Sequence, residues 1–263
     1  MTVRKHGRAP FRIAVVHGGP GAGGEMAPVA RELAGAGGVL EPIQTAASLA
    51  GQVEELARTL EEHCELPATL VGYSWGAWLS CLVAAEHPAC VGRLVLVGSG
   101  PIEESYAASI RETRASRLST KEREEFERAL AWIEDPGAKD RDACLARLGE
   151  LASKADAFDP LPWDTRASDA VSCDGAVFLG VWREAAELRR SGELLDRVKG
   201  ILCPVVAIHG DHDPHPAAGV SLPLSAVLAN FRFILLPRCG HTPWLERHAR
   251  GAFFAALEGA LAS

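Results

Sequence analysis

Apolar residues along this chain fall into short continuous runs separated by longer stretches with helical spacing. Residues 11–16, FRIAVV, stop at a glycine-rich turn and predict a strand. Residues 26–34 read as a helix and 38–42 as a weak strand. In 48–63, Leu49, Val53, Leu56 and Leu60 line one face of an amphipathic helix, with Ser48 as its N-cap. Residues 68–71 predict the next strand. The helix at 75–86 is apolar nearly all round, so it should be buried, and His87-Pro88 stops it. LVLV at 94–97 is a further buried strand.

The middle, 101–198, loses these strand-like runs and is rich in Arg, Glu and Ala. Ser119-Thr120-Lys121-Glu122 is a capping box that opens a helix towards Trp132. Residues 139–155 and 175–190 also read as helices, and 156–174, with Pro160 and Pro162, as a loop. Alternation then resumes. VVAIH at 205–209 and FRFILL at 231–236 are strands, 217–228 is a helix or a loop containing one, and 243–261 is a closing helix with Pro243 in its first turn. Strands alternating with helices imply right-handed crossovers. The expected architecture is an α/β fold with a mostly parallel sheet of about six strands. Its core would span 1–100 and 199–263, with an all-helical cap at 101–198.

Four motifs at strand ends carry the candidate chemistry. Gly72-Tyr73-Ser74-Trp75-Gly76 sits between a strand and a helix, where a tight turn lifts the serine hydroxyl above the sheet. His17-Gly18-Gly19-Pro20-Gly21 follows the first strand and can present main-chain N–H groups to a tetrahedral intermediate. Gly19 and Trp75 are the expected oxyanion-hole donors, and His17 is expected to tie the turn down. A phosphate cradle would need a Lys-Ser or Lys-Thr closure, which is missing here, and Pro20 removes a donor. His209-Gly210-Asp211-His212-Asp213-Pro214 offers two candidate acids, Asp211 and Asp213. Cys239-Gly240-His241-Thr242-Pro243 offers a histidine able to reach the serine. The order serine, acid, histidine is that of α/β-hydrolases.

His209, Asp211, His212, Asp213 and His215 include zinc-ligand residue types, but alternating loop residues scatter their side chains and match no metal motif. No metal and no cofactor is expected. Of six tryptophans, Trp75 and Trp244 flank the candidate catalytic residues and are expected to wall a substrate pocket. Trp132, Trp163 and Trp182 are expected to pack helices within the insertion.

The 263 residues suit one domain with a sizeable insertion. A net charge of −7 argues against a nucleic-acid partner or an anionic membrane surface; the expected partner is a small-molecule substrate. No export signal and no membrane span are read from the sequence. Seven widely spaced cysteines, an odd number without C-x-x-C, fit neither a disulfide framework nor a zinc knuckle. Reduced, packed thiols point to the cytoplasm.

With these motifs, the chain resembles the proline iminopeptidase-like (peptidase S33-like) group of α/β-hydrolases, over roughly 11–100 and 198–261. HGGPG at 17–21 and GYSWG at 72–76 match that group. Gly210-x-x-Asp213 matches its acid motif, which favours Asp213, and Gly240-His241-x-Pro243-x-x-Glu246 matches its histidine motif. The middle would correspond to the family's helical cap. Two departures stand out. The family's D-x-x-G-x-G-x-S stretch is replaced by Glu41-Pro42-Ile43-Gln44-Thr45-Ala46-Ala47-Ser48. Its N-terminal strand pair must shrink to one short edge strand or vanish. The resemblance implies a serine hydrolase with Ser74 as nucleophile, His241 as general base and Asp213 as orienting acid. The substrate would be a small or medium ester, amide or thioester. The rival readings are a carbon–carbon bond hydrolase with the same residues, and a non-catalytic binding protein on the same fold.

Overall fold

Strands β1 (Thr2–His6), β2 (Phe11–Val16), β3 (Gly38–Ile43), β4 (Ala68–Tyr73), β5 (Val91–Val97), β6 (Val205–Gly210) and β7 (Phe231–Leu236) form one sheet in the order β1-β3-β2-β4-β5-β6-β7. This is a computed structural model, and it describes residues 2–21, 23–35, 37–134, 141–162, 169 and 174–262. All neighbouring strands run parallel except β1, which pairs antiparallel with β3. The expected six strands thus gain a seventh, the single short edge strand left of the family's N-terminal pair. Its sequence, TVRKH, is too charged to read as a strand, and such charges suit a sheet edge. β3 looked weak because it contains Glu41 and Pro42, yet every residue in it is buried. Glu41 is tolerated there because His6 Nε2 lies 2.9 Å from its carboxylate and Arg4 stands 3.7 Å away.

Side chains alternate across the central strands. Leu70, Leu94 and Leu96 face one side, where they pack with α2 (Leu49–His63) and α3 (Trp75–Glu86). Val71, Tyr73, Val95 and Val97 face the other, against α1 (Ala27–Leu33) and the closing helix (Arg250–Ala262). With both faces covered, β4 and β5 read as continuous apolar runs. Ser48 caps α2 as expected, its hydroxyl accepting from the Gly51 N–H at 3.1 Å.

Between β5 and β6 come α4 (Ala108–Arg117), α5 (Thr120–Glu134), α6 (Arg141–Asp156), α7 (Gly175–Arg190) and α8 (Glu193–Val198). The capping box forms: the Ser119 N–H donates to Glu122 at 3.1 Å and the Glu122 N–H to the Ser119 hydroxyl at 3.4 Å. α4 to α6 enclose their own small cluster of Leu118, Phe126, Leu151 and Ala155. In contrast, Val177, Val181, Ala185, Leu188, Leu194 and Val198 of α7 and α8 belong to the main core. Among the described residues this segment contributes no strand, only a single bridge from Pro160 to Glu246. The expected helix start at 139, and much of the loop at 156–174, lie outside the described residues.

After β6, α9 spans Ala218–Val227, within the region read as helix or loop with helix. The closing helix, α10, begins at Arg250 rather than Pro243. Pro243–Leu245 forms a separate 3-10 turn, and Glu246 then adopts extended backbone to make the bridge to Pro160.

Candidate active site

The turn from β4 into α3 is strained at Ser74, which has φ 53° and ψ −115°. A side chain rarely adopts such a backbone unless its surroundings enforce it. Here the two flanking glycines make the close approach possible. A Cβ on Gly72 would lie 2.3 Å from the Gly76 carbonyl oxygen, and one on Gly76 would lie 2.2 Å from that of Val16. The turn therefore presses directly onto the end of β2, and Ser74 projects into a cavity.

There it meets groups from two other strand ends. The Ser74 hydroxyl donates to His241 Nε2 at 3.1 Å, and His241 Nδ1–H donates to Asp213 Oδ2 at 2.7 Å. The Asp213 side chain is fully buried and the His241 side chain nearly so. Burial pushes the Asp213 pKa up, but the surrounding His241, His215 and His209 more than offset it and hold the carboxyl well below its usual range. For His241, burial favours the neutral ring, and Asp213 outweighs it, so the pKa ends above its ordinary value. Asp211 points elsewhere and accepts the Cys239 N–H at 3.1 Å. Gly19 and Trp75 line the same cavity beside Ser74. Trp75 is the first residue of α3, where a main-chain N–H has no partner within its own helix.

The His17 turn is held as expected. His17 Nδ1–H donates to the Gly18 carbonyl at 2.7 Å, and Nε2 accepts the Gln44 N–H at 3.1 Å. Burial lowers the His17 pKa to about 4, so the ring is neutral. Glu25 accepts the Gly18 N–H at 2.7 Å and lines the cavity, and burial raises its pKa to about 7. The cavity, about 560 Å³, continues between the core and the insertion, where Trp78, Phe126, Leu145, Phe178 and Trp182 make it largely apolar.

Two tryptophan expectations change. Trp244 does not wall the cavity. It is 2% exposed, packed edge-on against Tyr73 at 4.7 Å and beside Phe253 at 5.9 Å. It lies in the 3-10 turn Pro243–Leu245, which buries it with Pro243. Trp182 stacks on Phe178 within its own helix, 6.2 Å away, but also reaches beyond the insertion. It lies nearly parallel to Trp78, 6.3 Å away, and both rings line the cavity. Trp132 is exposed, and Trp163 lies outside the described residues.

The family model described as "Alpha/beta hydrolase family" matches residues 13–256. The chain belongs to the alpha/beta hydrolase family. The chain is also similar to the biotin biosynthesis bifunctional protein BioHC of Teredinibacter turnerae, at 23% identity over 198 residues. That match covers 75% of this chain, and only 33% of the relative's length. Among solved structures, VinJ superposes with a TM-score of 0.68 at 18% identity, over 98% of this chain and 94% of VinJ. Proline iminopeptidase of Mycobacterium smegmatis gives 0.62 at 17% identity, over 99% and 95%. The thioesterase domain from the curacin biosynthetic pathway gives 0.60 at 20%, over 99% and 94%. At these identities the likeness is one of fold.

Several positioning groups around the candidate site could not be read from the sequence. Gln44 and Gln52 both accept the Trp75 indole N–H, at 3.1 and 3.0 Å. Gln44 falls in the stretch that departs from the family pattern. That loop is closed by Glu55, which accepts the N–H groups of Thr45 and Ala46. The His241 loop is clamped by the insertion: its N–H donates to the Asp156 carbonyl at 3.0 Å, and Arg114 grips the Asp156 carboxylate at 2.8 and 2.7 Å. Glu246 accepts the N–H groups of Gly240, Phe158 and Asp159. Only Glu246 left a trace in the sequence, as the end of the histidine motif. Among the described residues, no helix is long and apolar enough to cross a membrane.

Proposed function

We propose that the protein hydrolyses small or medium, largely apolar esters, amides or thioesters through an acyl-enzyme on Ser74. The observation that carries this reading is the continuous chain of hydrogen bonds from Ser74 through His241 to Asp213 at the floor of an apolar cavity. In this reading His241 takes the Ser74 proton as Oγ attacks the carbonyl carbon. The main-chain N–H groups of Gly19 and Trp75 stabilise the oxyanion. His241 then protonates the leaving group, which departs as alcohol, amine or thiol. Water gives a proton to His241 and attacks the acyl carbon, the bond to Ser74 Oγ breaks, and His241 returns the proton to Oγ as the carboxylic acid leaves. Asp213 holds the imidazole in the tautomer whose Nε2 can accept and stabilises the imidazolium. No metal or cofactor is needed for these steps. The free thiols among the described residues fit a reducing compartment such as the cytoplasm.

A panel of nitrophenyl esters of graded chain length, acyl thioesters and aminoacyl amides, assayed with wild type and Ser74→Ala, tests the reading. Turnover of at least one class, lost in Ser74→Ala, supports it. Turnover that persists undiminished in a folded Ser74→Ala variant would overturn it.

A further inference from the structure

The histidine-rich loop at 209–215 looked unfit for a metal because its side chains alternate, and most of them do diverge. Asp211 accepts the Cys239 N–H, and His212 stacks edge-on with Phe158 at 5.2 Å. His209 Nε2–H is spent on the His215 carbonyl at 2.8 Å. Two residues of the loop turn the same way, however. His215 Nδ1 lies 2.8 Å from Asp213 Oδ1, while His241, from a separate loop, reaches Oδ2 of the same carboxylate at 2.7 Å. One buried carboxylate thus has an imidazole Nδ1 on each oxygen, and the two rings stand 4.6 Å apart. One ligand atom from each of the three residues lies within 4.8 Å of the others. His215 and His241 also line the cavity, which gives an ion a path and leaves a side open for water.

We propose that Asp213, His215 and His241 form an inhibitory site for a divalent transition-metal ion of the Zn²⁺ class. Two imidazoles and a carboxylate are a donor set that Zn²⁺ accepts, with a fourth position left to water. With ligand bonds of about 2.0–2.2 Å the donor atoms stand roughly 3.4 Å apart, so each Nδ1 draws back from its carboxylate oxygen to admit the ion, a side-chain adjustment. No resident cofactor is implied, because the site uses the same Nδ1 atom that Asp213 otherwise holds. When the ion binds, each ring loses its Nδ1 proton to solvent and takes one up on Nε2, so it stays neutral. His241 Nε2 then points an N–H at Ser74 and cannot take the serine proton. The inhibition rests on the Ser74 reading above, but the binding does not.

The test uses chelator-treated full-length protein and Zn²⁺ as the probe. Calorimetric titration compares wild type, Ser74→Ala, His215→Ala and His215→Gln, each first checked for a native melting transition. His215→Gln is the second variant in case the smaller side chain disturbs folding. Wild type and Ser74→Ala should each bind one Zn²⁺ per chain at this site. Loss of His215 should weaken that binding by at least about 100-fold, since disturbing only an outer-shell partner costs about 10–100-fold. Hydrolysis, where present, should be inhibited by Zn²⁺ and restored by EDTA, with the same shift in the His215 variants. His215-dependent binding by a protein without hydrolytic activity would keep the site and sink the Ser74 reading. Zn²⁺ affinity unchanged in the folded His215 variants, or no binding by wild type, would overturn the site and leave the hydrolase reading standing.

Discussion

The Trp75 indole N–H donates to the Gln44 side-chain oxygen at 3.1 Å, and this bond joins the helix behind Ser74 to the glycine turn opposite. Gln44 completes the link by donating its side-chain N–H to the His17 carbonyl at 3.0 Å. The two proposed oxyanion donors, Gly19 and Trp75, therefore sit on elements held in register by one side chain. Gln44→Ala should lower kcat by roughly tenfold to a hundredfold, as small misplacements of catalytic groups do. KM and melting temperature should change much less, because Gln52 still accepts the indole N–H. Steady-state kinetics on the best ester of the panel checks this, and an unchanged kcat would contradict it.

Gly76 faces the carbonyl oxygens of Val16 and His17, which would lie 2.2 and 2.5 Å from an added Cβ. Main chain cannot rotate aside as a side chain can. Gly76→Ala should therefore destabilise the fold by more than about 3 kcal/mol, beyond the usual cost of overpacking. A urea melt measures it, and a loss under about 1 kcal/mol would show that the turn is less tightly held than the structure indicates.

Glu25 gives a pH signature of definite sign. Burial raises its folded pKa from 4.5 to about 7, so between these values the folded chain keeps a proton that the unfolded chain has lost. Stability from this group is full at low pH and is lost as pH rises from about 4.5 to about 7. Glu25→Gln keeps an acceptor for the Gly18 N–H but cannot ionise. Wild type should thus lose melting temperature relative to the variant across that window. Parallel curves would argue against the buried acid.

Asp213 and Asp211 sit two positions apart and do different things. Asp213→Asn should cut turnover by roughly 10⁴-fold if it fixes the His241 tautomer. Asp211→Asn keeps an oxygen for the Cys239 N–H and should stay within about tenfold, because a loop hydrogen bond contributes only about 0.5–1.5 kcal/mol. The reverse ranking, in variants shown to fold, would reassign the acid.

Much of this was legible in the sequence because it depends on local pattern. The buried parallel strands announce themselves as apolar runs, and Ser74, His241 and the HGGPG turn lie where strands end. β1 was foreseen only as one of two outcomes, a short edge strand or none, because a polar edge strand is recognisable only by its partner, and β3 was underrated because Glu41 is held by His6 and Arg4 from β1. The burial of Trp244 and the cavity-facing Trp182 depend on packing between distant elements. So do the Gln44–Trp75 bond and the meeting of His215 with His241 at Asp213. Spacing along the chain holds no record of these.

The most direct test of the central claim is covalent labelling of Ser74. A fluorophosphonate probe should add once per chain to wild type, with the adduct mapped by mass spectrometry to the peptide bearing Ser74. Labelling should be absent in Ser74→Ala and slowed by orders of magnitude in His241→Ala. An adduct at another residue, or none on a wild-type protein that still hydrolyses its substrate, would contradict the account.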